Sequence, residues 1–261
     1  MTAPVHERPI LEVRNATKAF LGLVALSDVS FAVRDSIYGV IGPNGAGKTT
    51  LFNVITRVLN PTRGDILFDG QVITHLPAFR IARLGIARTF QNVRLFVHQS
   101  VIENVVIGTY RNTRAGFLGG LLAAPSARAE HEAARREAMD RLDFVGLAAQ
   151  ADQPAGTLPF GRQRLLELAR ALALRPRLLL LDEPAAGLND RETQELADLI
   201  RRLPAQGITV VLVEHNMDLM MSVAERILVL NYGQVLAEGK PGDIRAERAV
   251  IDAYLGVEEL A

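Results

Sequence analysis

Nine consecutive residues near the start of the chain have the composition of a loop that binds phosphate groups. Glycines let backbone N–H groups wrap around a crowded anion without Cβ clashes, and a helix that starts near Gly47 directs its positive end at the same anion. We expect Lys48 to reach the β- and γ-phosphates of a triphosphate, and the Thr49 hydroxyl to bind Mg²⁺. The nine residues are Gly42, Pro43, Asn44, Gly45, Ala46, Gly47, Lys48, Thr49 and Thr50.

The residues on either side of this loop fit the strand–loop–helix context that the motif needs. Residues 36–41 read as a short buried strand, and the apolar residues Leu51, Val54 and Ile55 have helical spacing. The alternative interpretation is a glycine-rich turn between two core elements, and this context disfavours it. The sequence therefore predicts a triphosphate site near the start of a helix.

A second group of reactive side chains follows an apolar strand. Residues 177–181 run directly into Asp182 and Glu183. Acids at the carboxyl end of a buried strand lie where α/β proteins bind their ligands. We expect Asp182 to bind Mg²⁺ and Glu183 to polarise an attacking water molecule. In isolation a solvated acidic turn is the better interpretation, but the phosphate-binding loop favours the catalytic one.

Composition excludes several classes of protein. The 261 residues are 49% hydrophobic, which is enough for one sizeable core and an added lobe. Lys plus Arg and Asp plus Glu are both 29, so the chain lacks the basic footprint of a nucleic-acid binder. The absence of cysteine excludes disulfides and cysteine metal sites, and it fits a reducing compartment. Without a signal-peptide pattern or a long apolar run, we expect any work at a membrane to depend on other subunits.

The hydrophobic pattern changes twice along the chain. Residues 10–18, 29–33 and 65–68 alternate as half-buried antiparallel strands do. From about 92 to 157 strand signals are few, and we predict a helical insertion. The other predicted elements are helices at 77–84, 191–203, 217–224 and 243–255, strands at 86–90 and 207–213, and a hairpin of 227–230 with 234–238.

A third motif lies shortly before the acidic strand, where residues 158–164 read Leu-Pro-Phe-Gly-Arg-Gln-Arg. With it, the chain resembles the ATP-binding subunits of ABC transporters, whose signature Leu-Ser-Gly-Gly-Gln has this place in the motif order. The resemblance covers nearly the whole chain. It implies an α/β P-loop NTPase of ABC ATPase type, with an antiparallel β subdomain and a helical insertion. The RecA-like core with the β subdomain would be residues 1–91 and 158–261, and the helical subdomain residues 92–157.

The resemblance also implies ATP and Mg²⁺ as cofactors and assigns further site residues. Gln91 matches the Q-loop glutamine, a Mg²⁺ ligand with a part in catalysis, and residues 186–189 match the D-loop. His215 matches the switch histidine; alone it would more often be an ordinary core or surface residue. Phe20 best matches the aromatic residue that stacks on adenine, although such a residue at a strand end is usually core. The signature residues that bind the partner's ATP would be Pro159, Phe160, Gly161 and Arg162.

A narrower resemblance involves residues 86–96, 182–189 and 253–256, which are similar to the ATPase subunits of branched-chain amino acid importers. Such importers use two different ATPases, and this chain resembles the longer one. It implies an ATP-hydrolysing subunit that powers import of branched-chain or related amino acids. The implied partners are two membrane permeases, a second ATPase in a dimer and, indirectly, a periplasmic solute-binding protein, with no nucleic acid. The implied place is the cytoplasmic face of the inner membrane, as a peripheral protein.

The signature departs from the family pattern at two positions. Pro159 replaces a serine that would offer a hydroxyl and an N–H group to the partner's γ-phosphate, and proline offers neither. Relatives in this branch often lack the serine as well. Arg162 replaces the final glutamine, and we favour a solvated side chain over one that approaches the phosphates. We expect asymmetric turnover, with this chain's own nucleotide hydrolysed faster if the partner carries an intact signature.

Three other functions compete with this interpretation. A soluble ABC-type ATPase of translation or DNA maintenance usually carries two nucleotide domains or a long coiled coil, and this chain has neither a second loop motif nor sustained heptads. An ATP-dependent regulatory module that hydrolyses ATP weakly remains open because of Pro159. A P-loop kinase is disfavoured by the combination of Glu183, the signature and His215.

Overall fold

Two sheets form the framework of the protein. The structure is a computed structural model that describes residues 8–34, 36–89, 94–109 and 125–258. The first sheet has the order β2-β1-β4-β5 and all of its neighbours are antiparallel. The antiparallel strands expected from alternation are confirmed, although β2 begins earlier than predicted. Its strands are β1 (Leu11–Phe20), β2 (Leu23–Val33), β4 (Arg63–Phe68) and β5 (Gln71–Val72).

The second sheet carries the predicted site residues. Its order is β10-β9-β3-β8-β7-β6, and every neighbouring pair is parallel except β9 with β10. Every residue of β3, β7 and β8 is buried, which explains why these strands read as continuous apolar runs. The strands are β3 (Ile37–Ile41), β6 (Ile86–Arg88), β7 (Leu178–Asp182), β8 (Thr209–Val213), β9 (Arg226–Asn231) and β10 (Gln234–Gly239).

The first turn of α6 (Asp190–Arg202) shows how side-chain hydrogen bonds define where a helix begins. Asn189 caps α6 and accepts a hydrogen bond from the Glu192 N–H, while the Glu192 carboxylate accepts one from the Asn189 N–H. This capping box satisfies two free donors of the first turn. The helices are α1 (Lys48–Ile55), α2 (Ala78–Leu84), α3 (Val101–Thr109), α4 (Pro125–Phe144), α5 (Phe160–Leu172), α6 (Asp190–Arg202), α7 (Met217–Val223), α8 (Pro241–Ala246) and α9 (Arg248–Glu258).

The prediction of one C-terminal helix over residues 243–255 is wrong. The structure has two helices, α8 and α9, because Glu247 between them adopts extended backbone angles, with φ of −71° and ψ of 115°. Pro241 fixes the first turn of α8. No glycine or proline accompanies the break at Glu247, so the sequence gives no local signal for it.

The described residues in the middle of the chain pack on one face of the six-stranded sheet. Within residues 94–109 and 125–158 the structure describes helices, short 3₁₀ turns and one isolated bridge, with no strand of either sheet. Val105, Leu142 and Leu166 belong to the same buried cluster as Leu179 of β7. The division into a core and a helical subdomain at residues 92–157 stays a prediction. Among the described residues, no helix combines the length and apolar character needed to cross a bilayer.

Gly64 in β4 provides a test of how the antiparallel sheet is packed. It has φ of +90°, and a Cβ atom there would collide with the carbonyl oxygens of Arg14 and Asn15. Gly70 has φ of +76° and open space around it. We expect Gly70→Ala to cost about 1 kcal/mol of backbone strain. Gly64→Ala should cost a further ~2 kcal/mol, because the collision adds to the strain. Chemical denaturation measures both, and equal losses would contradict this packing.

Candidate active site

The phosphate-binding loop, residues 42–50, connects the end of β3 to the start of α1. Gly47 is the N-cap of α1 with φ of 102°, and a Cβ atom there would lie 2.7 Å from the carbonyl oxygen of Ala25. Only glycine combines this backbone conformation with so close an approach. The loop is thus held against the N-terminus of α1, where free N–H groups and the helix dipole favour an anion.

Lys48 lies at the centre of the loop. Its ammonium donates hydrogen bonds to the carbonyl oxygens of Gly42, at 2.6 Å, and Pro43, at 3.0 Å. Burial lowers the pKa of Lys48, while the carboxylates of Glu183 and Asp182 act in the opposite direction. The side chain is therefore anchored by its own loop and faces the acid pair at the end of β7.

Asp182 is the last residue of β7 and is 2% exposed. Its Oδ2 accepts a hydrogen bond from Nη2 of Arg88 at 2.7 Å. Its Oδ1 is buried and has no hydrogen-bond partner among the described residues. A buried carboxylate oxygen that lacks a donor is costly unless a cation approaches it. The donor chemistry of Asp182 therefore fits a hard cation such as Mg²⁺.

Glu183 and His215, both expected from the sequence to be catalytic, contact each other in the structure. His215 follows β8, and its Nε2 lies 2.8 Å from Oε1 of Glu183. Oxygens of an ionised carboxylate only accept hydrogen bonds, so Nε2 carries the proton in this contact when Glu183 is charged. Glu183 has φ of 49°, and its N–H donates to the Val213 carbonyl at 2.9 Å. A left-handed backbone at a non-glycine residue stores strain of the kind found at functional sites.

One cleft of about 310 Å³ is lined by the phosphate-binding loop together with Glu183 and His215. A second cleft of about 570 Å³ is larger but mostly apolar, and no residue of the phosphate-binding loop lines it. We therefore place the candidate active site in the smaller, polar cleft. The larger cleft is lined by Met217, Asp218, Met221, Ser222, Ile244, Arg245, Val250, Ile251 and Tyr254.

The signature residues lie outside this cleft, at the N-terminus of α5. Pro159 is the N-cap of that helix, and Phe160 is 47% exposed. The N–H groups of Phe160, Gly161 and Arg162 belong to the first turn, which has no intrahelical partners for them. Arg162 is half-buried, with Nη1 near Gly146. In one chain the signature and the phosphate-binding loop are therefore separate surfaces.

An aromatic contact joins the signature to the D-loop, and the sequence did not predict it. A Cβ atom at Gly187 would lie 2.9 Å from the Phe160 ring, so the ring rests directly on this glycine. The guanidinium of Arg164 lies 5.3 Å from the centre of the same ring and donates to the Ala186 carbonyl at 3.5 Å. Motif spacing contains no signal for this contact, because it depends on how α5 packs beside the turn after β7.

Gln91 and Phe20, two further predicted site residues, are not described as part of the cleft lining. Gln91 lies outside the described residues. Phe20 ends β1 and is 40% exposed, with Nζ of Lys18 4.8 Å from its ring centre. Ala25, rather than Phe20, lines the cleft from the antiparallel sheet. The assignment of Phe20 to adenine stacking stays a prediction.

Arg88 is a site residue that the sequence analysis missed. Besides Asp182, its guanidinium donates to Asn53 of α1 at 2.7 Å and to Thr56, the C-cap of α1, at 3.3 Å, and it lies 5.6 Å from the ring centre of Phe52. Arg88 thus ties the helix behind the phosphate-binding loop to the acid pair. Only the sheet order, which sets β6 beside β7, shows this, and no motif marks it.

A parallel sheet that carries a phosphate-binding loop, an acid pair and a histidine along one edge defines a P-loop ATPase. The sequence model of the ABC transporter family matches residues 26–186. The model of the C-terminal part of branched-chain amino acid ATP-binding cassette transporters matches residues 234–259. These matches agree with the motif order along the chain.

Curated relatives match this chain over nearly its whole length and over nearly the whole of their own. The chain is 47% identical to the high-affinity branched-chain amino acid transport ATP-binding protein BraF of Pseudomonas aeruginosa, over 95% of this chain and 98% of that protein. It is 44% identical to LivG of Escherichia coli K12, which has the same description, over 95% and 98%. The ADP conformation of the ATP-binding cassette MJ1267 is 31% identical, with a TM-score of 0.83 over 95% of this chain and 99% of that one.

This chain belongs to the family of ABC transporter ATP-binding proteins and closely resembles BraF and LivG. It is an ATPase of that family. The family inferred from the motifs and the predicted fold class are both confirmed.

The buried ion pair between Arg88 and Asp182 should contribute strongly to stability. The two side chains are 9% and 2% exposed, so Arg88→Met leaves a buried carboxylate without its cation. We expect the free energy of unfolding to fall by about 3 kcal/mol. Arg177→Met is the matched control, because Arg177 pairs with Asp69 at 3.0 Å on the surface and should cost less than about 1 kcal/mol. Urea denaturation without Mg²⁺ measures both, and similar losses would contradict the assigned role of the buried pair.

Proposed function

We propose that this protein is the ATP-hydrolysing subunit of a membrane importer for branched-chain or related amino acids. The observation that carries the proposal is near-full-length identity of 47% and 44% to BraF and LivG, which are named for branched-chain amino acid transport. The match of residues 234–259 supports it independently of the ATPase motifs. The substrate is assigned by relationship, because an ATPase subunit does not itself contact the amino acid.

In the proposed mechanism the phosphate-binding loop holds the triphosphate in the polar cleft. Backbone N–H groups of residues 44–50 would donate to the phosphate oxygens, and Lys48 would neutralise the charge on the β- and γ-phosphates. Asp182, Thr49 and Gln91 would hold Mg²⁺, which when bound neutralises charge on the phosphate oxygens. The orphaned Oδ1 of Asp182 supports this assignment. In the described part of the chain, no group of three or more histidine, cysteine, aspartate or glutamate side chains could hold a metal ion.

Glu183 would accept a hydrogen bond from the attacking water and so raise the nucleophilicity of its oxygen. His215 would hold the Glu183 carboxylate in place and contact the γ-phosphate. The distance of 2.8 Å between Nε2 of His215 and Oε1 of Glu183 supports this division of roles. In phosphoryl transfer most of the catalytic effect comes from positioning and charge, which suits a site of anchored groups.

The signature of this chain would serve a second subunit. Pro159 to Arg162 do not line the chain's own cleft, so ATP bound by a partner could meet the free N–H groups of Phe160, Gly161 and Arg162. We propose a dimer with a second ATPase, bound to two permeases at the cytoplasmic face of the inner membrane. A periplasmic solute-binding protein would deliver the amino acid.

Weak hydrolysis in a regulatory role is the second candidate, and Pro159 favours it. A proline at the helix N-cap has no hydroxyl or N–H group to offer the partner's γ-phosphate. Turnover that stays slow when permeases and loaded binding protein are present would support this alternative.

Co-purification with membrane partners tests the importer assignment. We expect the tagged chain, extracted in mild detergent, to retain two permeases and a second ATPase. In liposomes the complex with its binding protein should show ATP turnover that leucine, isoleucine or valine stimulates at least about threefold, as coupled closure requires. Lysine and glutamate are the control solutes. Lys48→Ala is the control variant, which should keep the partners and lose the stimulated turnover. Recovery of the chain without any membrane partner would contradict the proposal.

A further inference from the structure

Glu214 is a buried acid that the ATPase motifs do not explain. It lies between Val213, the last residue of β8, and the switch histidine, and it is 3% exposed. A carboxylate removed from water is costly unless its oxygens accept hydrogen bonds. Packing alone therefore does not explain why the Glu214 carboxylate is buried.

Three backbone N–H groups donate hydrogen bonds to the Glu214 carboxylate. Oε1 of Glu214 accepts a hydrogen bond from Ala185 at 2.7 Å. Oε2 accepts from His215 at 3.0 Å and from Asn216 at 3.2 Å. Hydrogen bonds from several N–H groups to one charged acceptor are stronger than neutral ones. The two oxygens of one side chain are thus each committed to a different loop.

The two loops are the ones that carry the catalytic pair. Ala185 lies two residues after Glu183, and His215 and Asn216 form the loop between β8 and α7. Asn216 also caps α7 by accepting from the Leu219 N–H at 2.9 Å. Since the Glu183 N–H is bonded to the Val213 carbonyl, the Glu214 carboxylate closes a second link between the same two loops.

The electrostatic environment of Glu214 reflects two opposed effects. Burial raises the pKa of this carboxyl, and the N–H groups of Ala185, Asn216 and His215 oppose that rise. The negative charge of Glu183 adds to the increase in the pKa. An apolar residue would avoid this cost but would leave three donors without acceptors, each worth about 1–3 kcal/mol.

We propose that Glu214 is a positioning residue for ATP hydrolysis, which holds the His215 loop against the loop after the acid pair so that His215 stays in contact with Glu183. This inference rests on the catalytic roles proposed above for Glu183 and His215. Glu214 does not touch the nucleotide cleft, whose lining includes Glu183 and His215 but not Glu214. Its effect should therefore fall on turnover rather than on ATP binding.

Glu214→Gln is the informative variant because it keeps the size of the side chain. A glutamine has one acceptor oxygen, so its NH₂ group must face an N–H donor of one loop and break that link. We expect kcat of the full-length protein with Mg-ATP to fall about tenfold, as expected for a displaced catalytic group, while KM for ATP changes less than about twofold. Glu225→Gln is the control, since Glu225 also accepts a backbone N–H, from Ser36 at 3.1 Å, at the far end of β3. It should leave kcat unchanged.

A double-variant cycle separates positioning from a general loss of structure. In a His215→Ala background, Glu214→Gln should lower kcat by less than about twofold, because the group that it positions is gone. The same tenfold loss in both backgrounds would overturn the proposal, and so would an unchanged kcat in Glu214→Gln alone. If His215→Ala itself leaves kcat unchanged, the role proposed for His215 fails and this inference fails with it. If only Glu214→Gln is silent, the catalytic roles stand and this inference alone is wrong.

Discussion

The parallel register of β3, β8 and β7 is the constraint on which the rest of the structure depends. Val40 of β3 and Asp182 of β7 are both paired with Val213 of β8, so the three strands end at the same level. The carboxyl ends of parallel strands meet at one edge of a sheet. This register brings the phosphate-binding loop, the acid pair and the switch histidine together from distant parts of the sequence. A slip by one residue would separate them and turn every buried side chain to the opposite face.

The sequence was sufficient for features that depend on local chemistry. Glycine at position 47, the apolar run of β7 and the acids that follow it are local signals, and the structure has the loop, the strand and the acids where the sequence predicted them. Arg88, Glu214 and the Phe160 contact could not be predicted in this way. They act through neighbours that only the sheet order and helix packing define. The break at Glu247 was missed because no residue there disfavours a helix.

The chain presents two separate candidate surfaces, the cleft and the signature end. The cleft is lined by the anchored Lys48 and by the contacting pair of His215 and Glu183. Asp182, whose Oδ1 has no hydrogen-bond partner in the described part of the chain, lies next to Glu183 at the end of β7. The signature end, by contrast, replaces a hydroxyl donor with Pro159 and fixes Phe160 on the D-loop glycine. The D-loop and the loop of His215 both contact Glu183: the Ala186 N–H donates to the Glu183 carbonyl at 3.1 Å, and Nε2 of His215 lies 2.8 Å from Oε1 of Glu183.

The central proposal for this site is that Glu183 acts in hydrolysis and not in ATP binding. Equilibrium binding of ATP and steady-state hydrolysis, measured on the same preparations of the unsubstituted protein and Glu183→Gln, test it directly. We predict that the dissociation constant stays within about threefold while turnover falls at least about a hundredfold, the range for loss of a general base. Turnover that survives the substitution, or binding that is lost along with it, would contradict this role of Glu183.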